Sequence, residues 1–276
     1  MNLNDITPLI LTHNEQANLA RVLAALGWAK QIVIVDSHSC DATRDIAASF
    51  AQVRVVEREF DCHANQWNFG LQQVDTPWTL ALDADYVCSD AFGHELASLE
   101  TQSTPYAAEF IYAIAGRPLR GTLYPPRIVL FRTEQFSYLQ DGHTQLLDLR
   151  GASSQRLQSK IIHDDRKPLS RWLRSQQQYA KLEADKLLAT EIHSLSWKDR
   201  LRRKFVWAPP LTMFYCLFYK GLILDGWPGI YYSLQRTYAE LLLSLELLDR
   251  RLRGRPAALP TGPLAPATPV EKGLVR

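Results

Sequence analysis

Short apolar runs alternate with amphipathic stretches along the first 90 residues. The run at 31–36 is continuous, as in a strand that is buried on both faces of a parallel sheet. The predicted strands are 6–12, 31–36, 53–56 and 78–83. The predicted helices are 14–26, 42–50 and 64–74, with Asn14 as the candidate N-cap of the first. This order predicts an α/β fold with a mostly parallel sheet flanked by helices.

The second half of the chain has a different pattern. Its predicted elements are strands and loops over 106–150, with 128–132 as the clearest strand, and helices at 170–189 and 230–252. The last helix carries one apolar stripe with spacings of three and four residues. The stripe consists of Leu234, Tyr238, Leu241, Leu245, Leu248 and Leu252. Such a stripe suits either ordinary packing or a dimer interface, so a homo-oligomer is one of two interpretations of the pattern.

Composition and charge divide the chain further. Apolar residues make up 46% and charged residues 22%, as in globular proteins. Residues 1–150 hold 10 Lys and Arg against 18 Asp and Glu, whereas the remainder holds 21 against 11. We predict an α/β domain at 1–165, a helical amphipathic appendage at 166–255 and a disordered tail at 256–276. The basic half suits anionic lipid or a phosphorylated substrate, and no nucleic-acid recognition module is present.

The appendage contains a segment suited to a membrane surface. The basic run RLRRKF at 200–205 precedes the aromatic cluster FYCLFY at 214–219, a combination that favours the headgroup region of an anionic leaflet. A buried subdomain is the alternative. No run reaches the ~18–20 apolar residues of a spanning helix, because Lys220 interrupts the longest one. The four cysteines show no metal-ligand spacing, so we expect reduced thiols. Because the chain also shows no signal-peptide pattern, we expect a cytoplasmic protein that attaches peripherally to the inner membrane.

Polar residues follow three of the predicted strands, at the edge where open parallel sheets bind ligands. They are Thr12, His13, Asn14 and Glu15 after the first strand, Asp36 and Ser37 after the second, and Asp83 and Asp85 after the fourth. No GxGxxG or GxxxxGK[ST] motif is present, which argues against the common glycine-rich phosphate loops.

Asp83 and Asp85 stand two residues apart on an extended segment, so their carboxylates face the same way. Carboxylate oxygens favour Mg²⁺ or Mn²⁺, which completes its shell with waters and substrate phosphates. Two aspartates that cap a turn are the alternative, but the position after a fourth strand favours a metal site. His163 is either a further metal ligand or a structural histidine.

Four motifs resemble those of family 2 glycosyltransferases of the GT-A, Rossmann-like fold. They are PLILTHNEQANL at 8–19, IVIVDSHSCDAT at 32–43, ANQWNFGL at 64–71 and LALDADY at 80–86. The resemblance implies that 1–165 is a catalytic domain for a nucleotide-sugar and an acceptor. It implies nucleotide-sugar binding by Thr12, Asn14, Glu15, Asp36, Asn65, Asn68 and Asp83, and metal binding by Asp85.

Residues 161–185 and 213–234 resemble lipopolysaccharide-core and related envelope polysaccharide glucosyltransferases of bacteria. Close relatives carry Val-His-Glu where this chain has DGHTQLL, and Gln145 cannot act as a base. Tyr86 also stands where an acidic residue usually follows the DxD motif.

An inverting transfer needs a base that takes the proton of the acceptor hydroxyl. Asp141 is the first candidate, because it follows FSYLQ and precedes the small Gly142, and Asp164 and Asp165 are the other candidates. Arg127, in the segment YPPR, suits a phosphate or an acceptor carboxylate, or else a surface ion pair.

We therefore expect an inverting, metal-dependent transfer of a hexose from a UDP-sugar to a hydroxyl of an envelope glycan or glycolipid. The reaction would take place at the cytoplasmic face of the inner membrane. A polyprenyl-phosphate glycosyltransferase is the alternative reaction, because a phosphate acceptor needs no strong base. A non-catalytic, membrane-associated scaffold with the same fold is the alternative from another class.

Overall fold

The computed structural model describes residues 1–100, 104–141, 144–204 and 206–254. The strands are β1 (Ile6–Thr12), β2 (Ile32–Asp36), β3 (Val53–Glu57), β4 (Trp78–Asp83), β5 (Tyr86–Val87), β6 (Tyr106–Ala108), β7 (Phe110–Ile114), β8 (Arg117–Pro118), β9 (Arg127–Arg132), β10 (Tyr138–Asp141), β11 (Thr144–Leu147), β12 (Gln155–Arg156) and β13 (Ile161–His163). The helices are α1 (Leu19–Ala25), α2 (Thr43–Ala48), α3 (His63–Leu71), α4 (Asp90–Ser98), α5 (Leu169–Ala189), α6 (Trp197–Arg202), α7 (Ala208–Phe214) and α8 (Trp227–Arg253).

The central sheet has seven strands in the order β12-β6-β9-β4-β1-β2-β3. Strands β4, β1, β2 and β3 are parallel, and β9 runs antiparallel to both β4 and β6. The register pairs Thr12 with Asp36 and Leu11 with Asp83, so the carboxyl ends of three strands meet at one edge. Apolar clusters cover both faces of this sheet, so its central strands are buried on both sides. The prediction of a mostly parallel α/β sheet is confirmed.

The first helix begins later than its periodicity predicts. Helix α1 starts at Leu19, and Asn14 adopts a left-handed conformation with φ 56°. The Asn14 N–H donates to Ser39 Oγ at 2.7 Å, and its side-chain oxygen accepts from Cys40 N–H at 2.8 Å. The predicted N-cap role of Asn14 is therefore wrong, because its polar groups bind the loop that follows β2. Asparagine is among the few residues that tolerate this conformation.

A second sheet, in the order β5-β13-β7-β8, brings a distant segment beside the end of β4. Strand β13 pairs antiparallel with β5, with His163 opposite Tyr86. Tyr86 is buried, and its ring packs against Phe110 and His163 with centroid distances of 4.8 Å and 5.2 Å. Tyr86, which stands where relatives usually carry an acidic residue, is thus part of the core that fixes His163.

The helical part packs on the α/β part through α8. One cluster joins α5 and α8, through Ala184, Leu187, Leu243 and Leu247, and another joins Leu119, Cys216, Leu222 and Tyr232. A Cβ on Gly229 would lie 1.9 Å from the Leu222 carbonyl oxygen, so this close approach requires glycine. The boundary at 165/166 stays our proposal, and the predicted tail at 256–276 lies outside the described residues.

Apart from Tyr238, which packs on Trp172 of α5 with ring centroids 6.0 Å apart, the predicted apolar stripe of α8 does not face the protein interior. Its leucines at 234, 241, 245, 248 and 252 are exposed. The inward side instead carries Tyr232, Arg236, Glu240, Leu243 and Leu247, with spacings of four, four, three and four residues. The interpretation as ordinary core packing is wrong for these leucines, whereas the dimer interface stays a prediction.

A second exposed apolar surface lies on α7 and the π-helical turn Tyr215–Tyr219 that continues it. We call it the aromatic face, and its members are Leu211, Phe214, Tyr215, Phe218 and Tyr219, all exposed. Phe214 packs on Phe218 and Tyr215 stacks on Tyr219, with ring centroids 4.9 Å and 4.7 Å apart. In the part of the chain that the structure describes, no helix combines the length and apolarity needed to cross a membrane.

Candidate active site

A cavity of about 750 Å³ opens at the carboxyl ends of β1 and β4. The sheet side contributes Thr12, Glu15, Asp83 and Asp85, and the other lining residues come largely from α5 and α8. The predicted site residues that line it are Thr12, Glu15, Asp83, Asp85, Arg127, His163 and Asp165. Those that do not line it are Asn14, Asp36, Asn65, Asn68, Asp141 and Asp164.

Asp36 lies beneath the cavity and is fully buried. Its Oδ1 accepts from the Thr12 hydroxyl at 2.7 Å and from the Ser39 hydroxyl at 2.6 Å, and its Oδ2 accepts from the Ser39 N–H at 2.7 Å. These bonds satisfy the carboxylate, which is otherwise costly to bury. Asp36 therefore fixes the position of Thr12, which does line the cavity.

Two predicted asparagines and Asp141 have partners elsewhere. Asn65 donates to Asp61 Oδ2 at 2.8 Å, and Asn68 exchanges two hydrogen bonds with the Tyr138 backbone, at 2.9 Å and 2.8 Å. Asn68 thus holds α3 against β10. Asp141 forms an ion pair of 2.6 Å with Lys186 on α5. The structure does not bring these three side chains to the cavity.

Asp164 and Asp165 are neighbours with opposite surroundings. Asp164 is 2% exposed and accepts from Arg21 at 2.9 Å, from Arg166 at 2.8 Å and from the Gly116 N–H at 3.1 Å. Asp165 lines the main cavity and also an adjoining cavity of about 450 Å³. Its contacts with Asn18 and Lys167 are all made by Oδ1, which leaves Oδ2 for a ligand.

Asp85 pairs with His163 at the centre of the cavity, with 3.2 Å between Oδ2 and Nε2. Burial opposes the charge of both groups, but their mutual attraction outweighs it. The pKa of Asp85 is therefore lowered and the pKa of His163 is raised. The rings of Tyr86, Tyr112 and Tyr124 surround His163, with centroid distances of 5.2 Å, 4.6 Å and 4.7 Å. This enclosure fixes the imidazole against Asp85.

A divalent cation fits this arrangement only together with a substrate. No group of three or more His, Cys, Asp and Glu side chains among the described residues could hold a metal ion. However, Asp85 Oδ1 is a buried acceptor without a hydrogen-bond partner among those residues, and Asp83 lines the same cavity. Mg²⁺ and Mn²⁺ commonly take one or two protein carboxylates and fill their shells with waters and phosphate oxygens. The donor set therefore fits such an ion.

Sequence reasoning missed several cations of the cavity. Lys167 forms an ion pair of 2.6 Å with Glu15, and Arg171 donates to the carbonyl oxygens of His13 and Asn14. Burial opposes the charge of Lys167, but the charges of Glu15 and Asp85 raise its pKa well above the usual value. Lys167 follows Asp164 by three residues and Asp165 by two, and this proximity along the chain was the available signal for it. Arg202 and Arg236 reach the cavity only because α6 and α8 fold over it.

The sequence of the chain is similar to those of known glycosyltransferases. Residues 9–138 match the family model described as glycosyl transferase family 2. The lipopolysaccharide core biosynthesis glycosyltransferase LpsC of Rhizobium meliloti (strain 1021) is 24% identical over 266 residues, which cover 91% of this chain and 95% of LpsC.

Among solved structures, the chain is similar to S. aureus TarS 1–349, at 12% identity and a TM-score of 0.45, over 91% of this chain and 92% of that one. Another is glucosyl-3-phosphoglycerate synthase from Mycobacterium tuberculosis in complex with Mn²⁺, UDP and phosphoglyceric acid, at 20% identity and a TM-score of 0.33. That match covers 39% of this chain and 43% of the synthase. The match to the glycosyl transferase family 2 model covers residues 9–138 and includes the DxD segment at 80–86.

Proposed function

We propose that the protein is an inverting glycosyltransferase that moves a hexose from a UDP-sugar to a hydroxyl of an envelope glycan or glycolipid. The observation that carries this proposal is one cavity that is lined by Asp83 and Asp85 from the sheet and by the separate Asp165. The match to LpsC along nearly the whole chain supports an acceptor of the lipopolysaccharide core type.

The sheet side of the cavity suits the donor. Thr12 and Glu15 would bind the nucleoside, and Asp83 the ribose, since all three lie at the strand ends that form this wall. Asp85 would hold Mn²⁺ or Mg²⁺, with His163 orienting its carboxylate from 3.2 Å. When bound, this ion supplies positive charge to the leaving diphosphate. Arg127, which also lines the cavity, would add a cation on the same side.

Asp165 is the base that we propose for the acceptor hydroxyl. It lines both cavities, so a hydroxyl that enters through the smaller one reaches the donor beside this carboxylate. Asn18 and the Lys167 N–H hold Oδ1 at 2.9 Å and 3.0 Å, which orients Oδ2 for the proton. Asp141 is less suited because Lys186 binds it outside the cavity.

We further propose peripheral attachment to the cytoplasmic face of the inner membrane through the aromatic face. Residues 200–224 contain five Lys and Arg and no Asp or Glu. Exposed aromatic rings beside cations suit the headgroup region of an anionic leaflet, where each cation adds roughly 1 kcal/mol. Attachment there would bring the cavity to a lipid-linked acceptor.

A donor screen tests the proposal. Titration calorimetry with UDP-, GDP- and ADP-sugars in the presence of Mn²⁺ should give binding of a UDP-sugar that EDTA abolishes. Asp85→Asn should remove this binding, whereas the exposed surface residue Asp75→Asn should keep it. Binding of no nucleotide sugar would contradict the proposal and favour the non-catalytic scaffold. Transfer to a phosphate rather than to a hydroxyl would favour the polyprenyl-phosphate alternative.

A further inference from the structure

The cations that line the main cavity differ in whether protein groups already bind them. Lys167 pairs with Glu15 at 2.6 Å, and Arg171 donates to two backbone carbonyl oxygens. Arg202 forms a forked contact with Glu240, with its Nη2 at 2.6 Å from Oε1, and a further ion pair of 3.2 Å with Asp199. Each of these three side chains therefore serves the protein's own architecture before any ligand is considered.

Arg236 differs from them. It lies on the inward side of α8 and lines the cavity, yet it has no hydrogen-bond or ion-pair partner among the described residues. Its Nε is fully buried, and a buried guanidinium N–H without an acceptor costs on the order of 1–3 kcal/mol. A ligand in the cavity would supply the missing acceptor.

The surroundings of Arg236 connect it with the proposed chemistry. The Tyr112 ring packs between His163 and Tyr232, at 4.6 Å and 4.7 Å between centroids. Burial raises the pKa of Tyr112, the charges of Asp85 and Asp165 raise it further, and the charge of Arg236 lowers it. Arg236 is therefore within electrostatic reach of the same phenol as the proposed metal ligand and the proposed base.

We propose that Arg236 binds an oxyanion of a substrate in the main cavity, an inference that rests on the proposed function. A planar guanidinium with free N–H donors matches the paired oxygens of a phosphate or carboxylate. The metal would meet the anion from the sheet side, and Arg236 from the helical side. The oxyanion belongs either to the donor diphosphate or to an anionic group of the acceptor, and the two sources can be separated by experiment.

Calorimetry on Arg236→Gln, Arg236→Lys and the control Arg253→Gln tests the proposal. Arg253 lies on the same helix and pairs with Asp249 on the surface. UDP with Mn²⁺ probes the donor diphosphate, and inorganic phosphate added to the protein saturated with UDP and Mn²⁺ probes the acceptor side. In Arg236→Gln, loss of one charge-assisted contact should lower the affinity for one of these two ligands at least about tenfold. Arg236→Lys should recover part of this affinity.

The outcomes are distinct. Weaker UDP binding assigns the diphosphate to Arg236, and weaker phosphate binding with UDP affinity retained assigns an anionic acceptor group. Equal affinities of the wild type and Arg236→Gln for both probes would overturn the inference, provided that wild type binds UDP. Failure of wild type to bind UDP would instead count against the proposed function. Because the guanidinium has no protein partner among the described residues and its buried Nε is costly, Arg236→Gln should keep or raise the wild-type urea midpoint, and a lower midpoint would count against the inference.

Discussion

Asp164 and Asp165 provide a sharp test of the site, since the same substitution at these adjacent and chemically identical side chains should have different effects. We predict that Asp164→Asn loses stability and that Asp165→Asn loses turnover. In Asp164→Asn, an amide replaces a buried carboxylate that pairs with two arginines. In Asp165→Asn, the amide oxygen can keep the Oδ1 contacts with Asn18 and Lys167.

The expected magnitude follows from the exposure of each partner. Removal of one member of a buried ion pair costs about 3–5 kcal/mol. Because Arg21 is 27% exposed, we expect the loss of its pair with Asp164 to cost a value near the lower end of this range. Arg166 is 44% exposed, so its pair contributes little after screening by water. We expect Asp164→Asn to lower the free energy of unfolding by about 3 kcal/mol, and Asp165→Asn by less than about 1 kcal/mol.

Urea denaturation followed by circular dichroism measures the first effect, and hexose transfer under saturating donor measures the second. Loss of a general base should reduce turnover about 10²- to 10⁴-fold in Asp165→Asn, with UDP affinity unchanged. Wild-type stability in Asp164→Asn would refute the assignment of Asp164 to the fold. Wild-type turnover in Asp165→Asn would refute its role as the base and favour a phosphate acceptor.

Two further predictions concern the helical part. Gly229→Ala should lower the free energy of unfolding by about 1–3 kcal/mol, because its Cβ would meet a backbone oxygen at 1.9 Å, whereas Gly27→Ala, with 3.6 Å to its nearest atom, should be neutral. Equal urea midpoints for the two variants would contradict this packing. The double variant Phe214→Ser with Phe218→Ser should bind phosphatidylglycerol vesicles about tenfold less than wild type in flotation assays, while Leu146→Ser should not change binding. Undiminished flotation would rule out the aromatic face as the lipid contact.

Local patterns in the sequence were sufficient for the central sheet. Continuous apolar runs such as 31–36 predict strands that are buried on both faces, and β2 is fully buried. Alternation with helices then requires parallel strands, so the ends that carry Thr12 and Asp83 come together. The start of α1 was predicted wrongly, because Asn14 bonds to the next loop, and periodicity contains no information on that contact.

The same limit explains the functional residues that were missed. An apolar stripe shows that a helix has two sides, but not which side meets a polar cavity. On α8 the leucines at 234 and 241 are exposed, whereas Arg236 lines the cavity. The orientation follows from the cluster that joins Tyr232 with the distant Leu119 and from the close approach of Gly229 to Leu222.

The order of strands and helices, the acidic edge of the sheet and the family resemblance could all be predicted from the sequence, because each depends on residues that are close along the chain. The groups that surround Asp85 could not be predicted in this way, because tertiary contacts bring them there. Pairing of β13 with β5 brings His163 to 3.2 Å from Asp85, and directly after β13 Asp164 is buried in the fold whereas Asp165 lines the cavity. Strand pairing and helix docking join segments that no short sequence window contains together.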